Sequence, residues 1–214
     1  MPTARKRATR DASGRLLVDF ALQGGGSHGA FTWGVLDRLL EDPRIRVDGI
    51  SGTSAGAMNA AVLSDGYARN GTDGAREALE NFWSRVAKAA TLSPFRRGPM
   101  DILAGRWSFD HSPAFLAFDL ASRVFSPYDL NPTAFNPLRS VLADCIDFER
   151  LVSSQVKVFV TATNVHTGKG RVFRNGELTP DVLLASACLP TLFQAIEIDG
   201  APYWDGGYLG NPTI

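Results

Sequence analysis

The chain has 214 residues, which is enough for one large domain and too short for two of ordinary size. Hydrophobic residues make up 44% and charged residues 21%, the balance of an ordinary globular protein. The formal net charge is zero, so no long-range electrostatic field favours nucleic acid as a partner. No apolar run approaches the roughly 18 residues that a membrane-spanning helix needs, so no transmembrane segment is expected.

Basic residues concentrate at the start of the chain. The first fifteen residues contain one acidic side chain, Asp11, and five basic ones, which are Arg5, Lys6, Arg7, Arg10 and Arg15. No apolar stretch follows them, so they do not form a secretory signal. We interpret residues 1–15 as a basic, flexible tail. The more specific alternative is that these residues contact anionic lipid head groups.

The chain contains two cysteines, Cys145 and Cys188. Neither belongs to a CxxC pair or a Cys/His cluster, so the sequence predicts neither a zinc site nor a redox motif. Both lie in apolar surroundings, which is typical of buried cysteines that act as small hydrophobic residues. This usage fits a reducing compartment, and a cytoplasmic location is expected.

The first 65 residues alternate between strand and helix patterns. Predicted strands at 16–22 and 47–50 each run into a glycine-containing turn, and each turn is followed by a predicted helix, at 30–40 and 57–63. This alternation predicts an α/β protein in which helices cover a parallel sheet.

The rest of the chain continues this alternation around one irregular segment. We predict a loop at 71–74, helices at 75–90, 133–143 and 180–187, a strand at 156–163, and a hairpin edge at 196–200. The helix at 133–143 is expected because Asn131 and Pro132 have the pattern of a helix start. Prolines and aromatic residues interrupt residues 91–131, which we interpret as an irregular insertion and a candidate lid or substrate wall.

A glycine-rich loop lies between the first strand and the first helix. It consists of Gly24, Gly25, Gly26, Ser27, His28 and Gly29. Adjacent glycines let backbone N–H groups turn towards one point, and the helix that follows adds the positive end of its dipole. Such a loop binds an anion, which is either the oxyanion of an attacked carbonyl or a cofactor phosphate. The second interpretation is open because the glycine spacing also matches a dinucleotide fingerprint, with Asp42 or Asp48 as the acidic partner.

The second predicted strand runs into a G-x-S-x-G motif. Its residues are Gly52, Thr53, Ser54, Ala55 and Gly56. A sharp strand-to-helix turn of this kind exposes the serine hydroxyl above the sheet, and its neighbours must be small. Short motifs like this one also occur by chance, and a serine in a plain glycine-rich turn is the alternative. The strand before it and the small-residue helix after it favour a nucleophile elbow around Ser54.

A serine nucleophile needs a base that takes its proton. An α/β-hydrolase triad has the order Ser, acid, His, but no histidine follows Asp205, and the three histidines of the chain are His28, His111 and His166. Asp205, followed by Gly206 and Gly207, offers another base, because the two glycines let the backbone bend so that the carboxylate can approach Ser54. Taken alone, Asp-Gly-Gly is more often a plain turn.

Taken together, these three motifs resemble the patatin-like phospholipase family, which carries them in this order. A small-residue segment that ends in proline, Ala185–Pro190, also resembles that family. The likeness extends from about Phe20 to Pro212. It implies a catalytic dyad of Ser54 and Asp205, with backbone N–H groups of Gly25 and Gly26 facing the oxyanion. His28 departs from the family, which often has Arg or Lys at that position.

The resemblance implies a three-layer α/β/α fold with a mainly parallel central sheet over residues 16–214. It also implies a serine hydrolase of lipid acyl esters, a phospholipase A, lysophospholipase or esterase, that works through an acyl-serine and needs no metal or organic cofactor. Its expected partner is a lipid or ester substrate, met at a membrane surface by a peripheral protein. We expect the domain to be incomplete at its C-terminus. The alternatives are a nucleotide-binding protein that uses the glycine loop and a non-catalytic lipid-binding relative.

Overall fold

The computed structural model of the protein describes residues 9–91, 103, 105, 116, 120–122 and 124–212. Its strands are β1 (Leu16–Leu22), β2 (Ile45–Gly52), β3 (Lys157–Asn164), β4 (Gly170–Arg174), β5 (Ile196–Ile198) and β6 (Ala201–Asp205). Its helices are α1 (Gly29–Leu40), α2 (Ala55–Ala90), α3 (Pro127–Leu130), α4 (Leu138–Cys145), α5 (Phe148–Val152) and α6 (Pro180–Ser186). Short 3-10 turns cover Gly26–His28, Asn175–Glu177 and Gly206–Tyr208.

The strands form one six-stranded sheet in the order β1-β2-β3-β6-β5, with β4 also paired to β3. The pairs β1–β2 and β2–β3 are parallel, while β6 is antiparallel to both β3 and β5. It follows that β1, β2, β3 and β5 run in one direction. The prediction of an α/β fold with a mainly parallel central sheet is therefore confirmed.

Helices α1, α2, α4, α5 and α6 pack on one face of this sheet, so the described residues do not form the second helical layer of the expected α/β/α arrangement. Because β1, β2 and β3 are adjacent and in chain order, right-handed crossovers place α1 and α2 on the same face. Helix α2 also contacts α4, α5 and α6. The core lies between these helices and the sheet, and residues 55–66 of α2 are all buried in it. The opposite face carries polar side chains, including an ion pair of 2.8 Å between Lys157 Nζ and Asp48 Oδ2.

One edge of β3 is shared by two strands. β2 pairs with β3 as far as Val160, and β6 pairs with it from Ala162 onwards, whereas β4 pairs along 159–163. A strand has only two edges, so β2 and β6 must follow one another along the same edge. They run in opposite directions, and their C-terminal ends therefore converge on either side of Thr161. This convergence brings the segment after β2 close to the segment after β6.

Helix α2 reverses direction in its middle. Asn70 and Gly71 leave the helical conformation, with φ values of −154° and 57°. Twenty-four residues of straight helix would span roughly 36 Å, yet the indole Nε1 of Trp83 lies 2.8 Å from Oδ1 of Asn59. The second half of α2 therefore packs back along the first. The predicted loop at 71–74 is wrong in its extent, because the reversal consists of Asn70 and Gly71 and the helical conformation resumes directly after them.

The predicted helix at 133–143 was placed too early. The α4 helix begins at Leu138, whose N–H donates to Asn136 Oδ1 at 3.0 Å, and Ala134 has a φ of 51° that no α-helix allows. Asn136-Pro137 is thus the helix start, not Asn131-Pro132, although both pairs carry the same signal. Residues 91–131, predicted as an insertion or lid, lie mostly outside the described part of the chain.

Residues 9–15 of the predicted tail form a hydrogen-bonded turn. The Asp11 carboxylate accepts from the backbone N–H and the Nε of Arg15, both at 2.9 Å. Arg10 pairs with Leu16 as an isolated bridge beside the sheet. Residues 1–8 of the predicted tail lie outside the described residues.

Candidate active site

The G-x-S-x-G motif forms a sharp turn between β2 and α2. Ser54 has φ 55° and ψ −123°, a backbone conformation that non-glycine residues rarely adopt and that stores strain. A side chain at Gly52 would meet the Gly56 carbonyl oxygen at 2.5 Å, and one at Gly56 would meet the Leu22 carbonyl oxygen at 2.2 Å. Both positions therefore require glycine, and the turn presents the Ser54 side chain above the end of the sheet.

The glycine-rich loop lies directly against this turn. A side chain on Gly24 would come within 2.8 Å of the Ser54 Cβ atom, so the loop and the elbow approach as closely as backbone permits. Gly25 and Gly26 have positive φ values of 154° and 58°, which turn the chain into α1. The N–H of Gly24 donates to Asn211 Oδ1 at 2.5 Å, which ties the loop to the segment after β6.

Three backbone N–H groups beside Ser54 are candidates to hold an oxyanion. They belong to Gly25, Gly26 and Ala55, and within the described residues no backbone acceptor is recorded for them. Ala55 is the first residue of α2, so its N–H lies at the positive end of the helix dipole. These groups are the type of donor that stabilises the negative oxygen of a tetrahedral intermediate.

Asp205 ends β6 and is 5% exposed. Its Oδ1 atom accepts the Gly207 N–H at 2.7 Å, and its own N–H donates to the Cys188 carbonyl at 2.9 Å. Burial raises the pKa of this carboxyl above its usual range, while the hydrogen bond from the Gly207 N–H and the nearby Ser54 hydroxyl oppose the rise. No cation forms a salt bridge with Asp205 within the described ranges, so the carboxylate is a stronger base than an exposed aspartate.

A cleft of about 940 Å³ opens over these groups. Nine of the fourteen predicted site residues line it, namely Gly24, Gly25, Gly26, Ser27, His28, Ser54, Ala55, Asp205 and Gly207. The other five are buried beneath it, namely Gly29, Gly52, Thr53, Gly56 and Gly206. The structure therefore brings the three motifs to one place, with the buried positions acting as their scaffold.

The walls of the cleft are mainly apolar and were not predicted as site residues. They comprise Met58, Phe82, Trp83, Val86, Leu138, Ala187, Leu189 and Leu192, and Tyr208 and Asn211 line the cleft as well. Phe82, Trp83 and Val86 lie at helical spacing on one face of the second half of α2. Only the reversal of α2 shows that this face reaches Ser54.

Asn59 connects the apolar wall to the glycine loop. This buried amide donates to the Gly29 carbonyl at 3.0 Å and accepts from the Trp83 indole at 2.8 Å. Both atoms of the amide are therefore paired, as a buried polar group requires. The contacts fix Trp83 in the wall and the start of α1 relative to each other.

The histidines do not complete a triad in the described part of the chain. His28 lines the cleft, but its Nδ1 lies 3.0 Å from the Gly25 carbonyl oxygen. His166 is exposed in the turn between β3 and β4, away from the cleft. His111 lies outside the described residues. Among the described residues, Asp205 is thus the candidate base beside Ser54.

The geometry does not favour the dinucleotide interpretation. Asp42 lies before β2, and the strand of eight residues separates it from the glycine loop by roughly 25 Å. Asp48 lies on the opposite face of the sheet and pairs with Lys157. Neither carboxylate can reach a ribose whose phosphates bind the loop. No three His, Cys, Asp or Glu side chains converge as a metal site in the described ranges.

Comparison with known proteins identifies the family of the chain. The family model for patatin-like phospholipases matches residues 20–214. The chain therefore belongs to the patatin-like phospholipase family, and membership supports a lipid hydrolase in general. No curated protein sequence matches the chain.

A solved structure supports the fold. VipD from Legionella pneumophila aligns with a TM-score of 0.51 and 17% identity, over 100% of this chain and 52% of the VipD chain. The chain thus spans about half the length of that protein. At this identity the likeness shows a shared fold. In the described residues, no helix has the length and apolar character needed to cross a membrane.

Proposed function

We propose that the protein hydrolyses acyl esters of lipids with Ser54 as nucleophile and Asp205 as general base. The observation that carries this proposal is the position of a strained, cleft-facing serine beside a buried carboxylate of raised pKa. Glycine-loop N–H groups on one side and an apolar wall on the other provide places for an oxyanion and an acyl chain.

In the acylation step, Asp205 accepts the Ser54 Oγ proton while Oγ attacks the ester carbonyl carbon. The carbonyl oxygen becomes negative next to the N–H groups of Gly25, Gly26 and Ala55, each of which is worth about 10²–10³ in rate at such a site. The C–O bond of the ester then breaks. The leaving alcohol takes the proton from Asp205, and the acyl group stays on Ser54.

In the deacylation step, a water molecule attacks the acyl-serine and gives a proton to Asp205. The bond between Oγ and the acyl carbon breaks, the carboxylic acid leaves, and Ser54 regains the proton. The same carboxylate therefore serves as base in both steps and as acid when each intermediate collapses.

The apolar wall favours esters with a long acyl chain. Each methylene that leaves water contributes about 0.8 kcal/mol, and the cleft offers Met58, Phe82, Trp83 and Val86 as its contacts. We expect p-nitrophenyl decanoate to be hydrolysed with a higher kcat/KM than p-nitrophenyl acetate. Phospholipids and lysophospholipids are the natural substrates to compare next.

A fluorophosphonate probe tests the nucleophile directly. We expect the probe to label Ser54, identified by peptide mapping, and expect Ser54→Ala to lose both labelling and ester hydrolysis. The matched control is Ser51→Ala, three residues earlier on β2 and on the opposite face of the sheet. The Ser51→Ala variant should react with the probe and hydrolyse esters at the same rates as the unchanged protein. Normal turnover in Ser54→Ala would falsify the proposal, and folded protein that never labels would indicate a lipid-binding relative without catalysis.

A further inference from the structure

The segment Ala185–Cys188 touches the backbone of both proposed catalytic residues. It comprises the end of α6 and the residues just after it, and it belongs to the small-residue segment that precedes Pro190. The Cys188 carbonyl accepts the Asp205 N–H at 2.9 Å. The Ser186 hydroxyl oxygen accepts the Ser54 N–H at 3.0 Å. The two catalytic residues are thus held from one short piece of chain.

The contact from Ser186 is the more specific of the two, because a side chain makes it, whereas Cys188 bonds through its backbone carbonyl. The residue is fully buried, and its hydroxyl donates to the Thr161 carbonyl at 2.7 Å while it accepts from Ser54. Thr161 lies in the gap on the edge of β3 between the ends of β2 and β6. The Ser186 hydroxyl therefore bonds to Thr161, the one residue on this edge of β3 that pairs with neither β2 nor β6.

The bond to Ser54 has a second consequence. Ser54 lies after the end of β2 and at the N-cap of α2, so its N–H pairs in neither element and needs another partner. Ser186 supplies the partner and holds the strained turn in place. It also leaves the Ala55 N–H, one residue further on, as the elbow donor that faces the cleft.

We infer that Ser186 is a positioning residue that sets the orientation of Ser54 for attack, an inference that rests on the proposed function. Loss of its hydroxyl leaves the Ser54 N–H and the Thr161 carbonyl without their partner, and the elbow can then relax. A displacement of about 1 Å in a reacting group can cost 10²-fold in rate. Ser186 lies beneath the nucleophile and does not line the cleft, so substrate binding is not directly affected.

The test compares Ser186→Ala with Ser64→Ala. Ser64 is also fully buried, lies in α2, and its hydroxyl bonds to Ser154 Oγ at 2.8 Å, remote from the cleft. Both variants remove a buried hydroxyl, so both are expected to lower Tm. Only Ser186→Ala is expected to lower kcat for p-nitrophenyl decanoate, by 10- to 100-fold with unchanged KM. Its rate of fluorophosphonate labelling should fall by a similar factor, with all rates measured well below each Tm.

Ser186→Cys provides a second variant of similar size with a weaker hydrogen-bonding group, and its kcat should lie between those of the alanine variant and the unchanged protein. The inference is overturned if Ser186→Ala or Ser186→Cys keeps full kcat, or if Ser64→Ala loses as much kcat as Ser186→Ala. Ser54→Ala, measured in parallel, separates the two proposals. If Ser54→Ala stays active, the proposed function is wrong. If Ser54→Ala is inactive and Ser186→Ala is fully active, only the proposed role of Ser186 is wrong.

Discussion

The two ends of strands β1 and β2 are built in opposite ways. At the C-terminal ends of β1, β2 and β6, the chain holds a strained Ser54 and a buried Asp205 without a salt bridge in the described residues. At the N-terminal ends of β1 and β2, the charges of Asp42 and Arg44 pair in an exposed turn. Strain and buried charge both cost stability. Because both features lie beside the cleft, the proposed catalytic residues are expected to lower the stability of the fold. Changes at the two ends should therefore have separable effects on activity and stability.

Asp205→Asn should give the largest effect and change activity and stability in opposite directions. The amide can still accept the Gly207 N–H but cannot take a proton, so we expect kcat to fall by about 10⁴-fold, the loss that follows removal of the acid from a Ser-His-Asp triad. Removal of a buried negative charge should raise Tm. The measurements are ester hydrolysis and thermal unfolding at neutral pH.

The control for that change is Asp199→Asn, which alters an exposed aspartate in the same hairpin. It should leave kcat unchanged. An active Asp205→Asn variant contradicts the dyad, and an Asp205→Asn variant with a lower Tm contradicts the view that the ionised carboxylate is unfavourable in the native state.

The pH dependence gives the next largest effect. Burial raises the pKa of Asp205, so the acid limb of kcat/KM should lie above the ordinary aspartate value of about 3.9 and fall tenfold per pH unit below the raised pKa. Between the unfolded and folded pKa values the native state binds more protons. The stability from this group is therefore complete below the unfolded pKa and is lost as pH rises through the folded pKa.

Denaturant unfolding at several pH values tests whether Asp205 makes the native state less stable as pH rises. The free energy of unfolding of Asp205→Asn minus that of the unchanged protein should increase as pH rises from about 4 to 7. A difference that stays constant over this range contradicts a raised pKa in the native state.

Much of the catalytic end could be predicted from the sequence because its rules are local. G-x-S-x-G predicted a strand, a turn and a helix, and the chain forms them as β2 and α2 around Ser54. The glycine positions follow from close backbone approaches that leave no room for a side chain. The positions of Ser54 and Asp205 in one cleft, by contrast, depend on β2 and β6 sharing an edge of β3, which no local pattern specifies.

What the sequence could not predict depends on contacts between distant residues. Asn211 bonds to Gly24 across 187 positions, and Ser186 bonds to Ser54 across 132. Nothing in the local pattern of either residue identifies that partner. The start of α4 shows the same limit, since Asn131-Pro132 and Asn136-Pro137 have equal helix-start signals and the chain uses the second.

Asn59→Leu should have an intermediate effect at the catalytic end. Leucine has a similar volume but leaves the Trp83 indole N–H and the Gly29 carbonyl unpaired, at about 1–3 kcal/mol for each group. Because Trp83 forms part of the apolar wall, we expect kcat/KM for p-nitrophenyl decanoate to fall several-fold more than for the acetate. Urea unfolding and the ratio of the two kcat/KM values are the measurements.

Asn81→Leu is the matched control for that variant, because Asn81 is exposed on the second half of α2. It should change neither stability nor the substrate ratio appreciably. If Asn59→Leu lowers stability but leaves the ratio intact, Asn59 supports the fold without shaping the cleft.

Arg44→Ala, at the opposite end of strands β1 and β2, should have the smallest effect. Hydrogen bonds from Arg44 lower the pKa of Asp42 to about 2, so the stabilisation from this pair is present above the unfolded pKa and is lost only as pH falls through about 2. The pair is solvent-exposed and screened by salt. We therefore expect a change in Tm near the limit of measurement at neutral pH and no change in kcat, because roughly 25 Å of strand separates Arg44 from Ser54. A loss of kcat beyond twofold would show that the two ends are energetically coupled and that the separation inferred from their construction is wrong.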